Sequence, residues 1–295
     1  MAARGPPRRP ERELVEVYQV ERRAVVLDYI EGGYYLDPHK WHRSRSVVQA
    51  IGTSRFTLLD GIPLHPVEPL EEVSVLREQL ENVEEPLDPT GRRTRRIPIS
   101  LACMSEGSSN TCMPIDKVEQ RLLDLLRATS PVEINIVNSP DELSKLLASK
   151  GLPAKAIAVP RTPLRYDDLS EIAKRNLRDA VKNIIKSNER AFVEFFNKAE
   201  PINIRLHSME LLRGVGKKTL KVILDTRSRK PFESFEEIRK IIKDDPVDVL
   251  TDKIMEELSG QSKYNLFVQP QHPGVPFLDY LSIIMPRYAG KEGRQ

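Results

Sequence analysis

The stretch from Gly214 to Lys218 combines residue types that could hold a phosphate group. It consists of Gly-Val-Gly-Lys-Lys and lies between two segments with apolar residues at helical spacing. Alternating glycines permit backbone angles that other residues disfavour, so a tight turn can join the two segments. The first N–H groups of a helix have no partner within it, and the helix dipole favours an anion there. Because Lys217 and Lys218 add positive charge beside these groups, we predict a phosphate-binding turn.

The sequence of this turn can be compared with two other kinds of glycine-containing loop. A Walker A loop would need Gly at position 211 and Ser or Thr at 218, where the chain has Leu211 and Lys218, so this reading is excluded. A Gly-x-Gly turn can also simply allow two helices to pack together. The packing role therefore stays open as the alternative.

A loop at residues 34–45 carries the second group of candidates. It interleaves aromatic and basic side chains and contains the one tryptophan of the sequence, Trp41. Exposed aromatic rings can stack on unpaired bases while Lys40, Arg43 and Arg45 contact phosphates. Alternatively, the rings cap the barrel described below, and the charges are only solvated.

The sequence contains no arrangement typical of an enzyme or of a cofactor site. A nuclease needs clustered carboxylates for metal ions, and residues 167–168 and 244–245 are adjacent aspartate pairs better explained as helix caps and turns. His39 and His42 could both contact one ion, but no third ligand is evident. We therefore expect no catalysis, no cofactor and no metal site.

Composition limits the class of protein. The 295 residues suffice for two or three domains, and a net charge of +3 means that any nucleic-acid site must arise from local charge. Abundant Glu, Lys and Arg with 23 prolines is typical of a thermophilic source. Cys103 and Cys112 are too few for a disulfide framework and are either reduced thiols or one pair. No apolar run is long enough to span a membrane, so we expect a cytoplasmic protein without membrane contact.

The sequence pattern predicts an α+β protein, whose strands and helices position these candidate residues. Short β-rich segments at 24–30, 46–51, 55–59 and 73–76 favour a small barrel. Amphipathic helices follow from residue 170, and residues 262–268 are predicted to form a strand. In one of these helices Phe192, Phe195 and Phe196 recur at helical spacing and are expected in the core. The predicted parts are a disordered basic arm (1–12), a barrel (13–76, completed by 160–166), an α/β insertion with an acidic linker (77–160), a helical domain (167–268) and a proline-containing tail (269–295).

One helix in this domain carries a basic stripe. Positively charged side chains recur every four residues, so they share one helical face: Lys174, Arg178, Lys182 and Lys186. Such a stripe is either a solvated face or a phosphate track.

The insertion at residues 77–160 is predicted to be β-α-β-α-β from residue 97 onward. The predicted strands are 97–104, 132–137 and 156–159, and the predicted helices are 115–127 and 141–149. Ser139 as N-cap and Pro140 at the first position are a start signal for the second helix. The residues around Cys103 and Cys112 are expected to form two strands around a polar turn. These residues show no catalytic constellation, and a protein partner is the default expectation for them.

Residues 212–220 resemble the turn of a helix-hairpin-helix motif, here within 204–226. In that motif a hydrophobic-Gly-hydrophobic-Gly turn gives backbone amides to nucleic-acid phosphates. The match includes both glycines, Val215 and the lysines, and departs at Arg213, where proline is common. The resemblance implies that Arg213 either loosens the turn or adds a phosphate contact.

A wider resemblance covers residues 20–76 and 161–270. Segments 24–29, 56–59, 164–170, the hairpin and 264–268 occur in the order seen in archaeal domain of unknown function family 655. This resemblance implies an OB-like barrel followed by a helix-hairpin-helix domain. It also implies nucleic-acid binding with RNA as the favoured target, and no known catalytic activity. Residues 77–160 have no recognised counterpart.

The sequence thus predicts a nucleic-acid-binding protein with RNA as the favoured target. The alternatives are a DNA-binding protein of repair or recombination and a protein-interaction scaffold acting through residues 77–160. The candidate nucleic-acid-binding residues are Arg213, Gly214, Val215, Gly216, Lys217, Lys218, Thr219, Lys40, Trp41, Arg43 and Arg45.

Overall fold

A closed five-stranded barrel and a set of helices form the described part of the chain. The computed structural model describes residues 21–77, 85–86, 94–95, 99–106, 109–114, 132–137, 139–160, 162–271 and 274–285. The predicted arm at 1–12 and the predicted helix at 115–127 lie outside these residues. The α+β class and the small barrel are confirmed.

The barrel strands follow one another around the barrel in the order β1-β2-β3-β10-β4. Their bounds are β1 (Arg23–Ile30), β2 (Val47–Gly52), β3 (Leu58–Pro63), β4 (Glu72–Arg77) and β10 (Ala156–Val159). Neighbouring pairs are antiparallel except β10 with β4, which is parallel. The inside is filled by small and β-branched apolar residues, as the strand periodicity dictates.

The strand that closes the barrel differs from the prediction. Closure was expected from residues 160–166, whereas β10 (Ala156–Val159) pairs with both β3 and β4. These residues had been assigned to the sheet of the insertion. All of β10 is buried, because it is flanked by strands on both edges and packs on both faces. The excursion between β4 and β10 is therefore an insertion between two barrel strands.

The excursion contains a separate antiparallel sheet in the order β8-β7-β9. Its strands are β7 (Ile99–Glu106), β8 (Ser109–Pro114) and β9 (Val132–Val137). Two short strands, β5 (Glu85–Pro86) and β6 (Thr94–Arg95), form a separate two-stranded sheet. Cys103 and Cys112 are partners in the register of β7 and β8, as the expected strand-turn-strand pattern requires. Helix α1 (Pro140–Ser149) then starts as predicted: the Ser139 hydroxyl accepts a hydrogen bond from Glu142 N, and Pro140 is in its first turn.

The remaining helices pack around one apolar core. They are α2 (Glu171–Ser187), α3 (Glu189–Lys198), α4 (Lys217–Arg229), α5 (Phe235–Ile242), α6 (Pro246–Leu258) and α7 (Tyr280–Ile284). Phe192, Phe195 and Phe196 are fully buried in it, which confirms their expected core role. None of the helices in the described ranges has the length and apolar character needed to cross a membrane.

The barrel and the helices share this core. Leu27 and Phe56 of the barrel belong to the same buried cluster as the helical phenylalanines. At the junction, the Ser170 hydroxyl donates to Asp28 Oδ2 at 2.6 Å and Gln49 Oε1 accepts from Ser170 N at 2.7 Å. Asn176 adds a hydrogen bond to Leu27 O at 2.8 Å. The predicted barrel and the predicted helical domain thus share one hydrophobic core.

Two local predictions were wrong. The first helix of the hairpin is replaced by a short strand, β12 (Leu206–His207), which pairs with β11 (Pro201–Asn203), and by one 3-10 turn at Ser208–Leu211. Residues 262–268 form no strand; Asn265 makes a single isolated bridge to Phe277. Their amides are instead held by Glu257, whose carboxylate accepts from Leu266 N, Phe267 N and Val268 N.

Candidate nucleic-acid interface

The turn at residues 212–216 is held by apolar anchors and a left-handed glycine. Leu212 and Val215 are buried, and Val215 N donates to Leu212 O at 3.2 Å. Gly214 has φ +81°, a conformation that residues with a side chain rarely adopt. A Cβ at this position would also lie 2.9 Å from Asp244 Oδ2. The alternation of apolar residue and glycine therefore fixes the turn and exposes the backbone between its anchors.

Helix α4 begins directly after this turn, without a side-chain cap. Gly216 is its N-cap residue, and the first turn contains Lys217 and Lys218 but no acidic residue. Gly216 and both lysines are exposed. The open N–H groups, the helix dipole and the two ammonium groups all favour an anion at this point. The turn is thus exposed, positively charged and followed by one full helix, α4, and its binding of phosphate stays a prediction.

Arg213 lies beside the turn and forms an ion pair. Its guanidinium is 2.7 Å from Asp252 Oδ2 on α6, and its side chain remains 64% exposed. The same aspartate pairs with Arg178 of α2 at 2.6 Å. Asp252 therefore holds two arginines near the turn, and this group of three charges is net positive. Arg213 occupies the position of the common proline without unfolding the turn.

The basic stripe on α2 is largely neutralised by neighbouring acids. Lys182 pairs with Asp248 of α6 at 2.6 Å, and Lys174 pairs with Glu171 at 3.1 Å. Salt bridges of this kind are partly exposed and stabilise only weakly. The two middle members of the stripe, Arg178 and Lys182, pair with α6, whereas Lys174 pairs within its own helix. The centre of the stripe is thus a helix-helix contact, which weakens its interpretation as a phosphate track.

The second group of candidates lies on the loop between β1 and β2. Residues Lys40–Ser44 form a 3-10 helix, and Lys40, Trp41 and Arg43 are exposed on it. Trp41 is 37% exposed, and the centroid of its ring lies 5.3 Å from that of the His39 ring. Arg43 Nε donates to Asp37 O at 2.8 Å. Trp41 therefore packs against buried residues and still offers surface to solvent.

A buried polar cluster lies under this loop. His39 Nδ1 is 2.8 Å from Asp60 Oδ2 on β3, and His42 Nδ1 forms a still shorter contact with the same oxygen. Asp37 Oδ1 accepts from His39 N at 2.8 Å. Burial lowers the pKa of His39, but hydrogen bonds to Asp37 and Asp60 outweigh it and raise the value to about 9. Burial raises the pKa of Asp37, and the two histidines hold it well below its usual range.

This cluster is what the sequence analysis missed. Asp37 and Asp60 supply the third and fourth potential ligands beside His39 and His42, and one donor atom of each residue lies within 4.8 Å of the others. Three of the four residues occur at Asp-x-His-x-x-His spacing, which was a usable signal. Asp60 could not be assigned to this cluster from the sequence, because only the pairing of β2 with β3 brings it under the loop.

The candidate residues thus form two separate groups, one on the barrel loop and one at the start of α4. Arg45 is half-buried at the end of the loop, and Thr219 is half-buried in the first turn of α4. The structure describes only parts of residues 77–160, and their expected protein-binding role stays a prediction.

Comparison with known proteins gives relatives from archaea. The chain is 39% identical over 111 residues to Uncharacterized protein MJ0038 of Methanocaldococcus jannaschii, a match covering 37% of this chain and 51% of that protein. The chain therefore spans about half the length of this relative.

The crystal structure of Af1531 from Archaeoglobus fulgidus, family-model DUF655, matches with a TM-score of 0.49 and 26% identity. The match covers 84% of this chain and 100% of that one. The family model described as Protein of unknown function (DUF655) matches residues 20–269, and the chain belongs to this family.

Proposed function

We propose that this protein binds nucleic acid, with RNA as the favoured target. One observation carries the proposal: the start of α4 is exposed, has no side-chain cap, has no acid in its first turn and carries Lys217 and Lys218. Such a helix start binds phosphate through backbone N–H groups and through charge, without selecting a base sequence. Binding should therefore be largely electrostatic.

The barrel loop supports the choice of RNA. Tyr35 is 75% exposed and Trp41 is 37% exposed, and Lys40 lies next to Trp41. Aromatic surface beside positive charge suits unstacked bases, which RNA presents in loops and single strands. The hairpin would hold the backbone while the loop holds bases.

Binding to DNA is the second candidate. The turn at residues 212–216 contacts only phosphates in this account, and phosphates are common to both nucleic acids. The variants described below test both RNA binding and DNA binding. Measuring their affinity for RNA and for DNA distinguishes the two candidates.

The test reverses both charges at the hairpin. Lys217→Glu with Lys218→Glu should weaken binding to single-stranded RNA at least tenfold at moderate salt. The salt dependence should become shallower, because each lost phosphate contact removes about 0.7 from the slope of log K against log salt for a single strand. Two lost contacts predict a decrease of about 1.4 in the steepness of that slope.

A matched control distinguishes the effect of local charge at the turn from the effect of net charge on binding. Lys145→Glu with Lys263→Glu changes the net charge equally, at two exposed lysines elsewhere in the chain. The control should bind nearly as well as the wild type. Equal affinity of the hairpin variant and the wild type would show that the turn is only a packing element.

A further inference from the structure

Four buried side chains converge under the loop between β1 and β2. Asp37, His42 and Asp60 have no exposed surface, and His39 is 8% exposed. One donor atom from each lies within 4.8 Å of the other three. Tetrahedral zinc places its ligand atoms roughly 3.3 Å apart, so small side-chain adjustments reach that geometry.

Two carboxylate oxygens of the cluster lack partners. Asp37 Oδ2 and Asp60 Oδ1 are buried and have no hydrogen-bond partner among the residues that the structure describes. Burying such oxygens without partners is costly. A cation between the two aspartates would satisfy both. Zinc binds neutral imidazole, so its binding would displace the proton from His39. The two carboxylates would then carry two negative charges, which one divalent ion balances.

The surroundings of the ligands match those of a metal site. His39 presents Nδ1 to the cluster, while its Nε2 lies 2.7 Å from the Thr162 hydroxyl. Asp37 Oδ1 accepts from His39 N, which leaves Oδ2 facing the cluster. Metal-binding histidines usually use their second nitrogen in a hydrogen bond of this kind, which fixes the ring orientation.

We propose that Asp37, His39, His42 and Asp60 bind one Zn²⁺ ion. Two imidazole nitrogens with two carboxylate oxygens form a donor set that zinc accepts in tetrahedral geometry, whereas calcium and magnesium prefer all-oxygen sites. Because all four residues are buried, the site is closed and structural, with no position open for a substrate. This inference does not rest on the proposed function.

The ion would join the loop to the barrel wall. Asp37, His39 and His42 belong to the connection between β1 and β2, and Asp60 belongs to β3. Zinc would therefore fix the 3-10 helix that carries Lys40 and Trp41. Trp41 is the sole tryptophan of the chain, and its ring lies 5.3 Å from that of His39 and 5.7 Å from that of His42.

The first experiment needs no variant. The full chain is purified without added metal, and its metal content is measured by mass spectrometry; about one zinc per chain is expected. After chelation, ZnCl₂ is titrated back while tryptophan fluorescence and the melting temperature are followed. Both should change and reach their end points at one equivalent of zinc, because binding to the folded state stabilises it.

Matched histidine variants locate the site. His39→Gln should lose the stoichiometric zinc and the fluorescence response. His65→Gln should keep both, since His65 is equally buried at 8% but contacts Ser144 and Ala156 outside the cluster. Asp60→Asn provides a second ligand variant should His39→Gln not fold.

Several results would overturn the proposal. One is a wild-type protein that neither retains zinc nor binds it at one equivalent. A second is retention of stoichiometric zinc by both Asp60→Asn and His39→Gln, which would place the ion elsewhere. A third is stoichiometric binding of another metal with no response to zinc, which would refute the assignment of the ion.

Discussion

Replacing Glu257 by Gln should destabilise the protein through lost backbone contacts. Glu257 is 2% exposed, and its carboxylate accepts from Leu266 N at 2.6 Å, Phe267 N at 2.9 Å and Val268 N at 2.8 Å. Gln keeps one acceptor oxygen and turns an NH₂ group toward the remaining N–H. At least one buried donor then lacks a partner, which costs about 1–3 kcal/mol of the free energy of unfolding.

The same substitution should change how stability depends on pH. Burial raises the pKa of Glu257 from 4.5 to about 7, against the lowering effect of the three N–H groups. Because the folded-state pKa is the higher one, the stabilising contribution is fully present below pH 4.5 and is lost as pH rises through 7. The difference corresponds to about 3 kcal/mol. Gln does not titrate, so the deficit of the variant should be larger at pH 5 than at pH 8.

The assay is urea-induced unfolding of both proteins at pH 5 and pH 8, followed by circular dichroism. Glu233→Gln is the control, since the Glu233 side chain is 71% exposed and its partner Lys230 is 64% exposed, so this pair should contribute little. A stability difference between Glu257→Gln and wild type that does not vary with pH would refute the assigned pKa. A Glu257→Gln variant as stable as the control would refute the structural role itself.

Two further substitutions test the backbone around the interface. Gly214→Ala should lower the free energy of unfolding by about 1–2 kcal/mol, because φ is +81° and the new Cβ approaches Asp244. Gly216→Ala should lower it far less, because Gly216 has φ −86° and open space around its Cα. Thermal unfolding compares the two variants. Asp245→Ala should cost about 1 kcal/mol, since its carboxylate caps α6 by accepting from Val247 N at 2.9 Å; equal urea midpoints for variant and wild type would contradict this.

Local signals predicted the elements whose structure depends on nearby residues. The start of α1 followed from Ser139 and Pro140, and the phenylalanines of α3 were placed in the core from their helical spacing. The barrel strands followed from β-branched runs between glycine turns. These features need only the chain within a few residues, so periodicity and capping suffice.

Features that depend on distant residues were missed. Strand β10 joins the barrel because β3 and β4 leave an open edge, which its own four residues do not reveal. Leu206 has helical spacing to Met209, but it pairs with β11 and so ends in a strand. The stripe on α2 was seen without Asp248 and Asp252, which neutralise it from α6.

The candidate site likewise contains parts that depend on nearby residues and parts that depend on distant ones. The hairpin turn was predicted because its glycines and lysines are adjacent in sequence. The cluster under the barrel loop was not, because Asp60 comes 18 residues after His42 and meets it only through the barrel. Asp37, His39 and His42 are close in sequence and leave a spacing signal, but Asp60 comes from another strand and joins them only in the fold.

The central claim is tested most directly by measuring binding of the purified full chain to matched single-stranded RNA, duplex RNA, single-stranded DNA and duplex DNA across a salt series. We predict tight binding that weakens steeply with salt and favours RNA. A preference for DNA would support the second candidate instead. Absence of binding to all of them at low salt would contradict the account, because an exposed helix start with two lysines should then attract phosphate most strongly.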